Sequence, residues 1–212
     1  QAKGYKGLVL ELRCNPGGLL DITVNVASQF LKDGLVLYHV DARGKRKDFP
    51  VQSGGVALDL PLVVLANGAS ASGSEVLVGA LQDHYRATVV GTRTFGKGSV
   101  NQLLPVRNGG GLYLTIARWY TPGDTLIEGN GLTPDVTVGD GLPSRATREL
   151  SSLAGPLCRA YAELGPGAVT TTAFLRGVAQ LCIGGDEPPA ESTDAALERA
   201  TAVLRERLSP AR

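Results

Sequence analysis

Residues 6–18 read KGLVLELRCNPGG, an apolar run that passes directly into a dense turn signal. The apolar part, Lys6–Leu12, has the length and composition of a buried strand. The run ends at residues 15–18 because Asn, Pro and Gly favour tight turns. Helical spacing follows over Leu19–Leu31. The predicted buried face of this helix consists of Leu19, Ile22, Val26 and Phe30.

The same order of elements then repeats along the chain. Leu35–Val40 is predicted to be a strand and Ala42–Gln52 a polar hairpin. Leu62–Leu65 is a second buried strand, followed by a helix over Glu75–His84 and a strand over Thr88–Val90. Strands that alternate with helices are typical of an α/β layer with mostly parallel strands.

A different pattern follows the α/β part. Gln102–Val106 and Leu112–Tyr120 are joined by a glycine-rich turn, which predicts an antiparallel hairpin. Gly129–Val138 is expected to form a closing loop and strand. We therefore expect a mostly parallel layered sheet with flanking helices plus an antiparallel hairpin region, within a core that spans residues 1–140.

Residues 141–212 are Ala-rich and lack strand patterning, which predicts a C-terminal helical appendage. Its three apolar stripes are Leu150, Leu153, Leu157 and Tyr161; Phe174, Val178 and Leu181; and Leu197, Ala200, Leu204 and Leu208. Thr193-Asp194 is a plausible cap for the last helix. Cys158 and Cys182 either form a disulfide or remain two buried thiols, and both alternatives stay open.

Composition excludes several classes of protein. The chain has 212 residues, enough for one domain with an appendage. Its 21 basic and 20 acidic side chains give a net charge of +1, so nothing indicates binding of nucleic acid. Its apolar runs are shorter than the roughly 20 residues of a membrane-spanning helix. Methionine is absent and the chain begins with Gln1, which indicates a processed chain or a piece of a longer protein.

Two familiar catalytic motifs are poorly matched. A Ser-His-Asp triad needs a histidine beside an exposed serine, but His39 lies in a predicted strand and His84 lies about 18 Å along a helix from Ser72. Residues 91–98, GTRTFGKG, nearly match a phosphate-binding loop. However, Gly98 replaces the Mg²⁺-binding hydroxyl, and a strand follows where that loop needs a helix. We expect no metal site and no cofactor.

Residues 67–75, NGASASGSE, place three serines at the junction of a strand and a helix. Ser72 and Glu75 match the capping box S-x-x-E, which is a purely structural role. The same position directs the Ser72 hydroxyl toward a helix N-terminus, where the dipole favours developing negative charge. The pattern leaves both roles open for Ser72.

Three predicted turns lie at one edge of the sheet, since the carboxyl ends of parallel strands lie together. There an amide from Gly17 or Gly18 could complete an oxyanion hole with the amide of Gly73. Lys97 is the remaining candidate base. To accept a proton near neutral pH its amine must be uncharged, which burial in an apolar pocket favours. Phe95 and the neighbouring glycines are expected to supply that pocket.

Four blocks of the sequence are informative together: GLVLELRCNPGG at 7–18, ASASGSE at 69–75, TFGKGSV at 94–100 and GLTPDV at 131–136. In this order they closely resemble the carboxyl-terminal processing proteases, also called tail-specific proteases. Members of that family use a Ser-Lys dyad 25 positions apart, the separation of Ser72 and Lys97. The resemblance therefore selects Ser72 over its two neighbouring serines.

The resemblance implies a serine endopeptidase that cleaves protein substrates near an apolar C-terminus. By similarity, Ser72 is the nucleophile and Lys97 the general base, with an oxyanion hole formed by the amides of Gly73 and of the Gly17-Gly18 turn. Family members usually carry Ala where Gly73 stands, and the amide is retained.

A second departure affects the lysine. The family usually places Gln four residues after it, to orient the amine, whereas this chain has Asn101 there and Gln102 next. Three arrangements follow: Asn101 supports Lys97 at shorter reach, a local bulge presents Gln102, or the dyad works without this support.

The resemblance also implies an N-terminal part of the protease core and a PDZ domain that captures substrate C-termini. The chain alone is therefore expected to have little activity. Bacterial members are mostly extracytoplasmic, which predicts a periplasmic, membrane-associated or secreted protein, and homo-oligomerisation stays open. The competing hypothesis is a non-catalytic module, a truncated or degenerate protease fold that binds a peptide or partner.

Overall fold

The computed structural model describes residues 6–107, 109–139 and 194–208. The mixed α/β fold expected from the sequence is confirmed. In chain order the elements are β1 Leu8–Glu11, α1 Leu20–Ser28, β2 Leu35–Asp41, β3 Arg46–Pro50, β4 Leu62–Ala66, α2 Gly73–Asp83, β5 Thr88–Gly91, β6 Ser99–Pro105, β7 Gly111–Tyr120, β8 Val136–Thr137 and α3 Ala195–Leu208. No helix in these ranges is long and apolar enough to cross a membrane.

A four-stranded parallel sheet forms the centre, with strand order β1-β4-β5-β8. All five residues of β4 are buried, because helices cover both faces of the sheet. Leu62, Val64 and Ala66 pack in one core cluster with residues of α1 and α2. Val63 and Leu65 alternate with them and pack in a second cluster with α3.

A second, antiparallel sheet has the order β3-β2-β7-β6. The predicted hairpin is present as β6 and β7, with an irregular register between Val100 and Asn101. Val36, Leu37 and Trp119 join this sheet to the main core cluster. The far part of the hairpin is apolar and exposed, at Leu103, Leu104, Val106, Leu112, Tyr113, Leu114 and Ile116.

The predicted buried face of α1 is wrong for three of its four residues. Leu19, Ile22 and Val26 are exposed, and only Phe30 is buried. The helix instead buries Thr23, Val24, Ala27 and Ser28. Small side chains let α1 pack closely, and the hydroxyls of Thr23 and Ser28 are satisfied by the carbonyls of Leu19 and Val24, at 3.0 and 2.7 Å.

The last predicted helix is present as α3, with a rotated buried face. Ala196, Ala200 and Val203 are buried, whereas Leu197 and Leu208 are exposed. Asp194 caps it, since its Oδ1 accepts the backbone N–H of Leu197 at 3.0 Å. The two other predicted stripes lie outside the described residues, and the division at residue 140 stays a prediction.

Cys14 takes part in a disulfide, a role that the sequence analysis did not assign to it. There a disulfide was considered only between Cys158 and Cys182, with two buried thiols as the open alternative. Those two cysteines lie outside the described residues.

Candidate active site

Three turns meet at the carboxyl edge of the parallel sheet, as the strand order requires. They follow β1, β4 and β5 and comprise residues 12–18, 67–72 and 92–98. Backbone hydrogen bonds join them: Ala71 N–H donates to Asn15 O and Phe95 N–H to Ser70 O, both at 3.0 Å. The candidate nucleophile, oxyanion donors and base all lie on these turns.

Ser72 is the accessible serine of its run. It is half-buried, whereas Ser70 and Ser74 are 0% and 4% exposed. Ser70 has a structural role: its Oγ donates to Leu12 O at 2.8 Å and accepts the Asn67 N–H at 2.8 Å. Among the three serines of this run, Ser72 is therefore the one whose side chain can be reached from solvent.

Ser72 occupies a strained backbone conformation. Its φ is 56° and its ψ is −119°, a combination that non-glycine residues rarely adopt and that costs of order 1–3 kcal/mol. Ser72 is also the N-cap of α2, and the predicted capping box with Glu75 is present. A serine on a sharp strand-to-helix turn presents its hydroxyl at the helix N-terminus, the arrangement of a nucleophile elbow.

The backbone amides of Gly18 and Gly73 lie beside this serine. A Cβ built on Gly73 would lie 3.1 Å from Gly18 N, so the two backbone segments are adjacent. Within the described residues, neither the Gly18 nor the Gly73 N–H has a hydrogen-bond acceptor. The Gly17 N–H is occupied, because it donates to Asn15 Oδ1 at 2.9 Å. The geometry therefore favours Gly18 over Gly17 as the partner of Gly73 in an oxyanion hole.

Gly17 shapes this hole without donating to it. Its φ is +88°, and an added Cβ would lie 2.4 Å from Gly73 N and 2.6 Å from Ala71 O. Only glycine allows such an approach at such a φ. Position 73 is crowded for a separate reason: a Cβ there would lie 2.5 Å from Thr23 Oγ1. An alanine at position 73 would therefore require Thr23 to shift.

Glu75 connects the serine turn to the lysine turn. Its side chain is 0% exposed. Oε1 accepts Thr94 Oγ1–H at 2.6 Å and Gly96 N–H at 2.7 Å. Oε2 accepts Ser72 N–H at 3.0 Å and Lys97 N–H at 2.7 Å. Burial raises the pKa of the Glu75 carboxyl, and these hydrogen bonds oppose the rise.

One carboxylate oxygen thus holds the backbone nitrogens of both members of the predicted dyad. The capping-box pattern identifies the bond to Ser72, but no sequence pattern identifies the bonds to Thr94, Gly96 and Lys97. Asn67 is a second residue that the sequence did not reveal. It is buried, and its Oδ1 accepts the backbone N–H of Cys14 at 3.0 Å, which fixes the first turn against the second.

The Lys97 side chain is exposed, contrary to the expected apolar pocket, and Phe95 is 43% exposed. The flanking glycines pack inward instead: a Cβ on Gly98 would lie 2.5 Å from Glu128 N, and Gly96 O accepts the Gly129 N–H at 2.9 Å. Because the backbone on both sides is packed against residues 127–131, the side chain between them faces outward.

Asn101 and Gln102 have different environments. Asn101 Nδ2 donates to Ser99 Oγ at 3.1 Å, and Asn101 Oδ1 accepts Thr115 Oγ1–H at 2.7 Å. Gln102 is exposed on β6. A register irregularity does precede them, and it leaves Ile116 as the extra residue of β7. Support of the Lys97 amine by either side chain stays a prediction.

Comparison with known proteins identifies the family of proteins that this chain resembles. The model of peptidase family S41 matches residues 1–138. The carboxy-terminal-processing protease of Bartonella bacilliformis is 47% identical over 144 residues, 66% of this chain and 32% of the relative. The carboxyl-terminal-processing protease of Synechocystis sp. is 40% identical over 169 residues, 80% of this chain and 39% of the relative.

A solved structure of a C-terminal processing protease is also similar to this chain. The photosystem II D1 C-terminal processing protease superposes with a TM-score of 0.63 at 39% identity, over 66% of this chain and 37% of that protein. The chain thus spans about a third of the length of the curated relatives it matches.

Proposed function

The chain belongs to peptidase family S41, and from that premise we propose that it carries the catalytic dyad of a serine endopeptidase that cleaves proteins near their C-termini. Ser72 is the nucleophile, Lys97 the general base, and the N–H groups of Gly18 and Gly73 form the oxyanion hole. The observation that carries the proposal is the position of Ser72 at the N-terminus of α2. Its backbone is strained, its side chain is accessible, and it lies beside two amides that have no acceptor among the described residues.

The reaction follows from these positions. Uncharged Lys97 Nζ takes the proton of Ser72 Oγ while Oγ bonds to the substrate carbonyl carbon. The developing oxyanion accepts hydrogen bonds from Gly18 and Gly73, supported by the positive end of the α2 dipole. The C–N bond then breaks, and Lys97 returns the proton to the leaving amine. Water, deprotonated in turn by Lys97, hydrolyses the acyl ester and regenerates Ser72.

Apolar surface beside the oxyanion turn supports a preference for apolar substrate ends. Leu19 directly follows Gly18 and is 68% exposed, and Ile22 one helical turn later is 52% exposed. Exposed apolar patches on soluble proteins commonly mark binding sites. We extend the proposal to apolar C-terminal segments bound along this face of α1, in an extracytoplasmic compartment.

The exposure of Lys97 supports the second candidate function, a binding module without catalysis. The Lys97 side chain has no apolar cover from the described residues, and apolar cover is what would favour the uncharged amine that a general base needs. Catalysis therefore requires that substrate or further protein surface covers the amine, and for this reason we expect the isolated chain to turn over slowly. A binding module would capture the same peptides and leave them intact.

Cleavage of a protein with an apolar C-terminal tail distinguishes the two functions. The 212-residue chain is incubated with that substrate, and mass spectrometry locates any cut. We expect slow cleavage near the C-terminus that is lost in Ser72→Ala and in Lys97→Ala and kept in Lys45→Ala, an exposed lysine far along the chain from the site. Binding without cleavage, or equal cleavage by all four proteins, would contradict the dyad.

A further inference from the structure

The C-terminal helix α3 lies outside the family match at residues 1–138, yet it is tied to the strand that carries the oxyanion turn. Its buried face packs on β4 and β5 through Ala196, Ala200 and Val203. At its start, Asp194 contacts Arg13, which lies near the beginning of the turn of residues 12–18 that follows β1. The function proposed above gives this helix no role.

The Arg13–Asp194 contact is a bidentate ion pair. Arg13 donates from its two terminal nitrogens to Asp194 Oδ1 and Oδ2, at 2.8 and 2.6 Å. The same guanidinium also binds Glu11 through two nitrogens: Nε donates to Oε1 at 2.9 Å and Nη2 donates to Oε2 at 2.6 Å. The side chain of Arg13 is 16% exposed, and that of Asp194 is 37% exposed. Two parallel hydrogen bonds of this kind fix the orientation of the guanidinium plane as well as its distance from the carboxylate.

The residues after Arg13 transmit that orientation to the oxyanion hole. Cys14 has a φ of 57°, a conformation that persists only when its surroundings hold it. Asn15 O then accepts the N–H of Ala71, and Asn15 Oδ1 accepts the N–H of Gly17. Gly17 in turn contacts the backbone of Gly73. These contacts form a continuous connection from the backbone next to Arg13 to Gly73, the residue that follows Ser72.

We propose that Asp194 is a positioning residue: by clamping Arg13, it makes the docked helix α3 hold the 14–18 turn so that the Gly18 N–H faces the reacting carbonyl. The inference rests on the proposed function of the site. It assigns the C-terminal helix a direct influence on acylation, because oxyanion donors are effective only when they are held in place.

The test uses a fluorophosphonate probe, which phosphonylates an activated serine with loss of fluoride. The phosphonylation rate of Ser72 is measured as a function of probe concentration for the 212-residue chain, Asp194→Asn, Asp194→Glu and Arg199→Gln. Arg199 is the matched control because its only ion pair among the described residues, with Glu206, is exposed at 3.8 Å. Thermal unfolding and amide hydrogen exchange of residues 14–18 are recorded for each protein.

We expect Asp194→Asn to lower the maximal phosphonylation rate about tenfold, the scale of a small misplacement of catalytic groups. The half-saturating probe concentration should stay unchanged, and the amides of residues 14–18 should exchange faster. Asp194→Glu should recover most of the rate, and Arg199→Gln should match the wild type. A purely structural role would lower the melting temperature and leave the rate of the folded protein unchanged.

Unchanged rate and unchanged exchange in Asp194→Asn would overturn the inference while the proposed function stands. If the wild-type chain fails to react at Ser72, the proposed function is contradicted instead. Hydrogen exchange of the 14–18 amides then still decides whether Asp194 holds the turn.

Discussion

Replacing Glu75 by Gln tests whether one buried carboxylate organises the site. The two side chains have the same shape, but the amide offers one acceptor oxygen where the carboxylate offers two. Each carboxylate oxygen accepts two hydrogen bonds at 2.6–3.0 Å from inside the protein. Whichever oxygen becomes NH₂ therefore faces two donors.

The structure indicates which of the two orientations of the substituted amide costs less free energy. The Thr94 hydroxyl can rotate to accept the new N–H, so the amide nitrogen is best placed on that side, which leaves the Gly96 N–H without its acceptor. An orphaned buried donor costs about 1–3 kcal/mol, and loss of charge assistance weakens the two bonds to Ser72 and Lys97. The substituted amide carries no charge, so the free-energy cost of burying the Glu75 carboxylate disappears. This gain offsets part of the loss of stability. We expect a loss of about 2 kcal/mol in the free energy of unfolding.

Guanidinium unfolding and the phosphonylation rate of Ser72 check this expectation together. Glu198→Gln is the matched control, because Glu198 is exposed on α3 and surface substitutions usually change stability by less than about 0.5 kcal/mol. Glu75→Gln should also slow phosphonylation, since both dyad backbones lose a strong acceptor. A stability and a rate equal to those of the control would refute the role assigned to Glu75.

Three further predictions follow from the same contacts. Gly17→Ala should lower the free energy of unfolding by more than about 2 kcal/mol, because the φ of Gly17 is positive and its Cβ position is crowded. Gly18→Ala should fold normally, because nothing lies within 4 Å of its Cβ position. Equal stabilities of the two variants in denaturant would contradict this expectation. The guanidinium of Arg86 binds three backbone carbonyls. Arg86→Lys should lower the melting temperature, because one ammonium cannot reach all three. An unchanged melting temperature would count against this role of Arg86. The hydrogen bonds from Arg13 hold the pKa of Asp194 below its usual value of 3.8, so this stabilisation should be full above about pH 5 and lost as the pH falls through the lowered pKa, a slope in urea unfolding that Asp194→Asn should remove.

Much of the fold was predictable because its signals are local. Apolar runs identified β1, β4 and β5, and turn residues identified the β6–β7 hairpin. The buried face of α1 was not predictable, because the helix has apolar residues on both sides. Its exposed side carries the larger ones. The inner side uses Thr23 and Ser28, whose hydroxyls are satisfied within the helix and so carry no sequence signature of burial.

The placement of the candidate groups at one edge of the sheet was predictable, and the environment of Lys97 was not. The spacing of Ser72 and Lys97 and the glycine turns placed the candidate groups correctly at one sheet edge. Whether Lys97 is buried depends on which way the packed glycines turn its side chain, and that direction is set by residues 127–131, some 30 positions later. The connecting role of Glu75 likewise depends on contacts between distant turns.

Identification of the residue modified by the fluorophosphonate probe tests the central claim most directly. After reaction of the 212-residue chain, the adduct is located by tandem mass spectrometry of its peptides, and the same reaction is run on Ser72→Ala and Lys97→Ala. We expect one adduct, on Ser72, that is absent from Ser72→Ala and forms far more slowly in Lys97→Ala. An adduct on another residue, or an equal rate on Ser72 without Lys97, would contradict this expectation.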